Sequence, residues 1–249
     1  MRPLIAGNWK MNGLKAQLPE IAKVAQLSKD TPGVDILICP PATLIAAASA
    51  GALGRIAIGG QDCDGEDAGP YTGAISADML KDAGSSFVIL GHSERRQGHG
   101  ETDAIVAAKV RAAHRAGLTA IVCVGESQAQ REAGEAFTVC ANQVEGSVPW
   151  DVPGLSLVIA YEPLWAIGSQ HGAPAKDIAE MHAHIRQALV HRLKAKGETI
   201  RILYGGSVDA SNTHDILSLA NVGGALVGRA SLEADDFEAV ILAAATVAT

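Results

Sequence analysis

One carboxylate of this chain stands where a general base would be well held. The apolar run 155–160 leads through Tyr161 to Glu162, and Pro163 follows at once. A strand there fixes Glu162 at its carboxyl end, and the proline restricts the backbone beside it. The segment 163–174 is then free to move as a lid. The competing reading is a solvated acid at a strand end, since most Asp and Glu are surface groups. Polar residues at the ends of other apolar runs decide between the two.

Asn8 and Lys10 follow the run 4–7. Two positions apart, they can point the same way and offer an amide donor and a fixed positive charge. An ordinary exposed lysine is the alternative. His92 comes after the run 87–90 and opens a short helical turn with Ser93, Glu94, Arg95 and Arg96. A helix amino end disfavours imidazolium, so the spacing predicts a neutral His92 that donates a hydrogen bond. A buried histidine with a satisfied partner is the other reading. Two more ends, Tyr204-Gly205-Gly206-Ser207-Val208 and Val227-Gly228-Arg229-Ala230-Ser231, are rich in small residues. Backbone N–H groups there can close on a phosphate without net positive charge, although tight turns alone also call for glycine.

Something must bring these scattered ends together. Short apolar runs at 4–7, 35–39, 56–59, 87–90, 119–124, 156–160, 201–204 and 225–227 read as strands. Helical stretches at 18–28, 42–50, 103–116, 175–196, 212–219 and 236–245 lie between or after them. Strands alternating with helices imply a parallel sheet with right-handed crossovers. Eight such units in 249 residues suit a closed (β/α)8 barrel, whose catalytic groups gather at the strand carboxyl ends. An open doubly wound sheet would favour GxGxxG after the first strand, where this chain has Asn8-Trp9-Lys10-Met11-Asn12. Nothing resembling a linker divides the chain, so residues 1–249 read as a single α/β domain.

Composition narrows the function classes. The chain is 48% hydrophobic and only 4% aromatic, enough for a large core of Val, Ile, Leu and Ala. A formal charge of -7 argues against a general nucleic-acid or anionic-membrane surface, so an anionic ligand must be held by local groups. Cys39, Cys63, Cys123 and Cys140 are widely spaced and read as free thiols of a reducing, cytoplasmic compartment. No apolar stretch has the length of a membrane span, and no signal-peptide pattern opens the chain. Asp62, Asp64, Glu66 and Asp67 form an acidic cluster. A calcium loop starting at Asp62 would need Gly in place of Asp67 and Glu in place of Gly73. His182 and His184 diverge on a helix, with His191 further along, and read as a solvated face rather than metal ligands.

Taken together, Ala6 to Lys10, Gly91 to Arg96, Ala160 to Gly168, Tyr204 to Val208 and Leu226 to Leu232 resemble the triosephosphate isomerase family. The resemblance implies interconversion of dihydroxyacetone phosphate and D-glyceraldehyde 3-phosphate through an enediolate, in glycolysis and gluconeogenesis. It also implies a (β/α)8 barrel that works as a homodimer with no metal or organic cofactor. By motif, Glu162 is the base and His92 the electrophile. Asn8 and Lys10 bind substrate and support catalysis, Gly168, Ser207, Gly228 and Arg229 surround the phosphate, and Ser93 and Glu94 orient the groups in contact with it. The 61–75 segment is implied to reach into a partner subunit. Gln170, His171 and Gly172 depart from the family pattern at the far side of the lid, and the freedom of Gly172 predicts a costlier closure. Arg229 and Ala74 depart at the phosphate site and the interface, Asn221 and Gly223 before the last strand. An isomerase of four-carbon sugar phosphates would keep the same catalytic set, whereas a barrel that only binds a ligand would need neither Glu162 nor His92.

Overall fold

The computed structural model describes residues 1–169 and 172–247. Eight parallel strands close on themselves in sequence order: β1 (Leu4–Asn8), β2 (Asp35–Cys39), β3 (Ala57–Gly60), β4 (Phe87–Leu90), β5 (Thr119–Val124), β6 (Leu157–Tyr161), β7 (Arg201–Tyr204) and β8 (Gly224–Val227). Outside them, in chain order, lie α1 (Leu18–Leu27), α2 (Ile45–Ala52), α3 (Ala77–Asp82), α4 (Ser93–Gly98), α5 (Asp103–Arg115), α6 (Gln128–Glu132), α7 (Ala136–Ser147), α8 (Ala175–Leu193), α9 (Thr213–Leu217) and α10 (Ala234–Ala245). The barrel shuts where Leu4 to Gly7 pair with Gly224 to Val227. There the backbones approach so closely that a Cβ on Gly224 would lie 2.0 Å from the Leu4 carbonyl oxygen.

Strand periodicity divides the buried residues into two layers. Leu4, Ala6, Leu37, Ile89, Ile121, Val158, Ala160, Leu203 and Leu226 fill the barrel interior, while Ile5, Ile36, Ile38, Val88, Val122 and Ile159 pack outward against the helices. The same alternation, carried past the strand ends, turns Asn8, Glu162, Gly205 and Gly228 toward the barrel axis. Small interior residues beneath them, Ala6, Cys39, Cys123 and Ala160, leave room for a site above.

The expected strands fall within a residue or two of those observed. Three helices were not expected: α3, α6 and α7. The buried face of α7 is Ala136, Cys140, Val144 and Ser147, spaced correctly for a helix but too weakly apolar to stand out in sequence. The histidine pattern on α8 also requires correction. His182 is fully buried, with Nδ1 3.2 Å from the Asn221 carbonyl and its ring edge-on to Tyr161. Burial lowers its pKa to about 4. His184 packs against Phe137, with ring centroids 5.0 Å apart. These are contacts of α8 with its neighbours, and only His191 is solvated.

Candidate active site

Glu162 is pinned from both sides before its carboxylate makes any contact. Its N–H donates to the Val124 carbonyl at 2.7 Å, and the Gly205 N–H donates to the Tyr161 carbonyl at 2.7 Å. Glycines flank it where nothing larger fits: a Cβ on Gly125 would lie 1.8 Å from the Glu162 carbonyl oxygen, and one on Gly205 would lie 2.9 Å from Glu162 Cγ. The residue is 2% exposed. Its Oε1 lies 2.8 Å from His92 Nε2, and its Oε2 accepts the Ser93 N–H at 3.1 Å. Burial pushes the carboxyl pKa up. The His92 imidazole, the Ser93 N–H and the Cys123 thiol more than offset this, leaving it below the ordinary carboxylate range.

His92 is the residue that caps α4, and its Nδ1 accepts the Glu94 N–H at 3.2 Å. An imidazole that accepts at Nδ1 carries its proton at Nε2, so it donates toward Glu162 as the neutral tautomer. The carboxylate also acts on it. Burial lowers the His92 pKa, but the charge and hydrogen bond of Glu162 outweigh burial and raise it above the ordinary imidazole value. That influence was not visible in sequence, where only the helix end could be weighed. It lasts as long as Glu162 stays against the ring.

Lys10 lies in the loop that follows β1. Its Nζ lies 2.6 Å from Glu94 Oε1, and its backbone is left-handed at φ +54°, a conformation costing about 1 kcal/mol or more in a non-glycine residue. Two residues hold it there: Asn8 Oδ1 accepts the Lys10 N–H at 3.0 Å, and Gln61 Nε2 donates to the Lys10 carbonyl at 2.9 Å and to that of Cys39 at 2.8 Å. Asn8 thus has a structural bond as well as a place in the site. Gln61 had no assigned role in sequence, because a glutamine after β3 carries no signal that it reaches a neighbouring loop. Arg96 is similar: it binds the Gly91 and Cys123 carbonyls, Asp103 and Ser147, clamping the turn that presents His92.

A cavity of about 860 Å³ joins these groups to the glycine-rich ends, with Asn8, Lys10, His92 and Glu162 near one wall and Gly168, Ser207, Gly228 and Arg229 also in its lining. Trp9 braces that region from behind through a 2.8 Å bond from Nε1 to the Ser231 carbonyl. Arg229 does not have positive φ, so its backbone is open to any residue.

The segment expected to act as a lid is anchored at both ends. Trp165 Nε1 donates to Glu126 Oε1 at 2.8 Å, and the wholly buried Glu126 also accepts from Tyr161 and Arg131. At the far end the Ala173 N–H donates to the Tyr204 hydroxyl at 3.1 Å. Gln170 and His171 lie outside the described residues. Gly172 has φ +62° and donates to Ser169 Oγ at 3.0 Å, so glycine there serves a left-handed turn and not freedom alone.

The acidic segment is tied to basic side chains. Asp62 pairs with Lys109 and Arg95, and no cluster of three His, Cys, Asp or Glu among the described residues is placed to hold an ion. All four cysteines are buried and unbridged. No helix among the described residues is long and apolar enough to cross a membrane.

Residues 3–244 match the family model for triosephosphate isomerase. The chain is 57% identical to the triosephosphate isomerase of Afipia carboxidovorans over 96% of both chains. It is 52% identical to that of Hyphomonas neptunium over 98% of this chain and 99% of the other. The crystal structure of triosephosphate isomerase from Bartonella henselae superposes with a TM-score of 0.91 at 47% identity, covering 98% of this chain and 99% of that one.

Proposed function

Because the chain belongs to the triosephosphate isomerase family, and so isomerises triose phosphates, we propose that Glu162 and His92 carry out the proton transfers of that reaction. The pairing of Glu162 with His92 at 2.8 Å carries the assignment: a buried carboxylate and a neutral Nε2–H donor meet over one cavity. A substrate seated there displaces the carboxylate from the ring and from the Ser93 N–H. Glu162 then takes the proton from the carbon beside the carbonyl and returns it to the neighbouring carbon. His92 Nε2–H faces the oxygen on which negative charge develops, and Lys10 adds a full positive charge to the same field. Glu94, bonded to Lys10 and next to His92 Nδ1, orients both. As the carboxylate turns away, the main influence that raises the His92 pKa goes with it, while burial and Lys10 remain to favour the neutral ring against the smaller pull of Glu94. The phosphate is read as meeting the Gly168, Ser207 and Gly228 backbone, with the Arg229 side chain alongside. This enzyme is a standard example of a carboxylate base beside a neutral histidine, and the roles follow that pattern. A closed lid excludes water and keeps the enediolate from expelling its phosphate.

The working unit is proposed to be a cytoplasmic homodimer. Residues 66–74 are all exposed, and Met11 and Leu14 stand exposed at 97% and 73%. A second cavity, about 570 Å³ and lined by Lys10, Gln61 and Glu94, opens beside Lys10 and could receive such a loop from another copy. Sedimentation at assay concentration tests this, and a fully active monomer would contradict it. For the reaction, kcat/KM is compared for triose and four-carbon ketose phosphates in a coupled isomerase assay. Preference for the triose supports the reading, and preference for the longer sugar overturns it.

A further inference from the structure

The barrel has another cavity at its opposite mouth, about 680 Å³, where the amino ends of β1 to β4 and β7 meet the α1–β2 turn and the end of α2. Its charge runs against that of the protein. The chain carries -7 overall, yet three arginines, Arg2, Arg55 and Arg201, line this cavity against one acid, Asp35. Asp35 is gripped by Arg201 across the barrel floor, and Arg2 NH1 stands 3.9 Å from its other oxygen. The three arginines thus share one counterion, and the lining keeps a net charge of +2.

Arg55 is the clearest of these. Among the described residues it has no ion-pair partner and no side-chain hydrogen bond. The turn that delivers it is strained, with Leu53 at φ +51° and Gly54 at φ +68° before the Arg55 N–H closes on the Ala52 carbonyl at 2.9 Å. A left-handed leucine is uncommon, and this one is 66% exposed, so burial of its side chain does not account for it. Ser49 and Ser86 contribute hydroxyls to the same lining, and Ile58 and Phe87 give it an apolar floor. Guanidinium groups match carboxylate and phosphate oxygens in pairs, and the apolar floor suits a short carbon frame.

We propose that this cavity is a second ligand site, separate from the isomerase centre, for a small dianion whose two negative charges meet Arg2 and Arg55. Both are exposed, so replacing them leaves the fold and the isomerase activity intact. The test is an amide NMR titration of the wild type and the Arg2→Ala/Arg55→Ala double variant, with succinate in one arm and inorganic phosphate in the other. Shifts at Ser49, Gly84 and Ser86 in the wild type, weakened roughly tenfold or more in the double variant, are expected. The arm that produces them tells carboxylate from phosphate recognition. Shifts confined to Gly206, Ser207 and Gly228, equal shifts in both proteins, or no shift in either arm would overturn the proposal. Since the readout is at the opposite mouth, its failure leaves the isomerase assignment untouched, and the reverse holds too.

Discussion

Gly205→Ala probes how tightly the base is held, because the added methyl meets Glu162 and leaves the carboxylate's chemistry unchanged. The new Cβ would lie 2.9 Å from Glu162 Cγ and 3.3 Å from the Tyr161 carbonyl oxygen. Ordinary carbon contacts begin near 3.5 Å, so Cγ has to yield by about half an ångström. It cannot move as a rigid unit, since the Glu162 backbone is fixed to Val124. The displacement is carried two bonds outward, to roughly 1 Å at the oxygens, and misplacement of that size costs on the order of 10²-fold in rate. The expectation is a kcat lower by about 10- to 100-fold with a smaller change in KM, because the added methyl points at Glu162 and the proposed phosphate contact of this loop begins two residues on, at Ser207. Overpacking should also cost about 1–3 kcal/mol of stability. Steady-state coupled assays with thermal unfolding as control read both. A folded variant whose kcat stays within about twofold of wild type would refute the claim that packing at Gly205 sets the position of the base.

The depressed Glu162 pKa has a signed consequence for stability. Its contribution is complete above the unfolded carboxyl pKa and is lost as pH falls through the folded value, so the wild-type advantage over Glu162→Gln shrinks below about pH 4 in denaturant titrations. A gap that stays flat or widens there would show that the carboxyl is not depressed. For His92, nitrogen NMR at neutral pH with a saturating substrate analogue should give a bare Nδ1 and a protonated Nε2; an imidazolium in that complex would defeat the neutral-electrophile reading. Arg229→Gly should shift KM modestly and leave kcat nearly unchanged, since the Arg229 backbone is open to any residue. A large rise in kcat would mean that the arginine strains or blocks the site.

The strands were legible because β-branched and leucine runs of four to six residues recur between polar stretches, and the parity of those runs carries Asn8 and Glu162 to the mouth. Helix α7 was not, since Ala136, Cys140, Val144 and Ser147 bury too little apolar surface to mark a face. His92 could be placed at a helix start, but its 2.8 Å approach to Glu162 joins residues 70 positions apart, and no local pattern encodes such a distance. Gln61, Arg96 and Glu126 escaped notice for the same reason: each acts by reaching backbone or side chains of another loop. For Gly172 the residue type speaks only of backbone freedom, and the structure adds that its positive φ gives it a definite turn to hold.

The most direct test of the central claim follows hydrogen at the transferred carbon. Dihydroxyacetone phosphate is incubated in deuterium oxide with wild-type protein and with Glu162→Gln, and proton NMR records deuterium entering the carbon that loses its proton, alongside aldehyde formation. The account predicts rapid exchange and isomerisation by the wild type, and loss of both by several orders of magnitude in the variant, whose folding and phosphate binding persist. Exchange at a near wild-type rate in Glu162→Gln would contradict it, because another group would then be removing the proton.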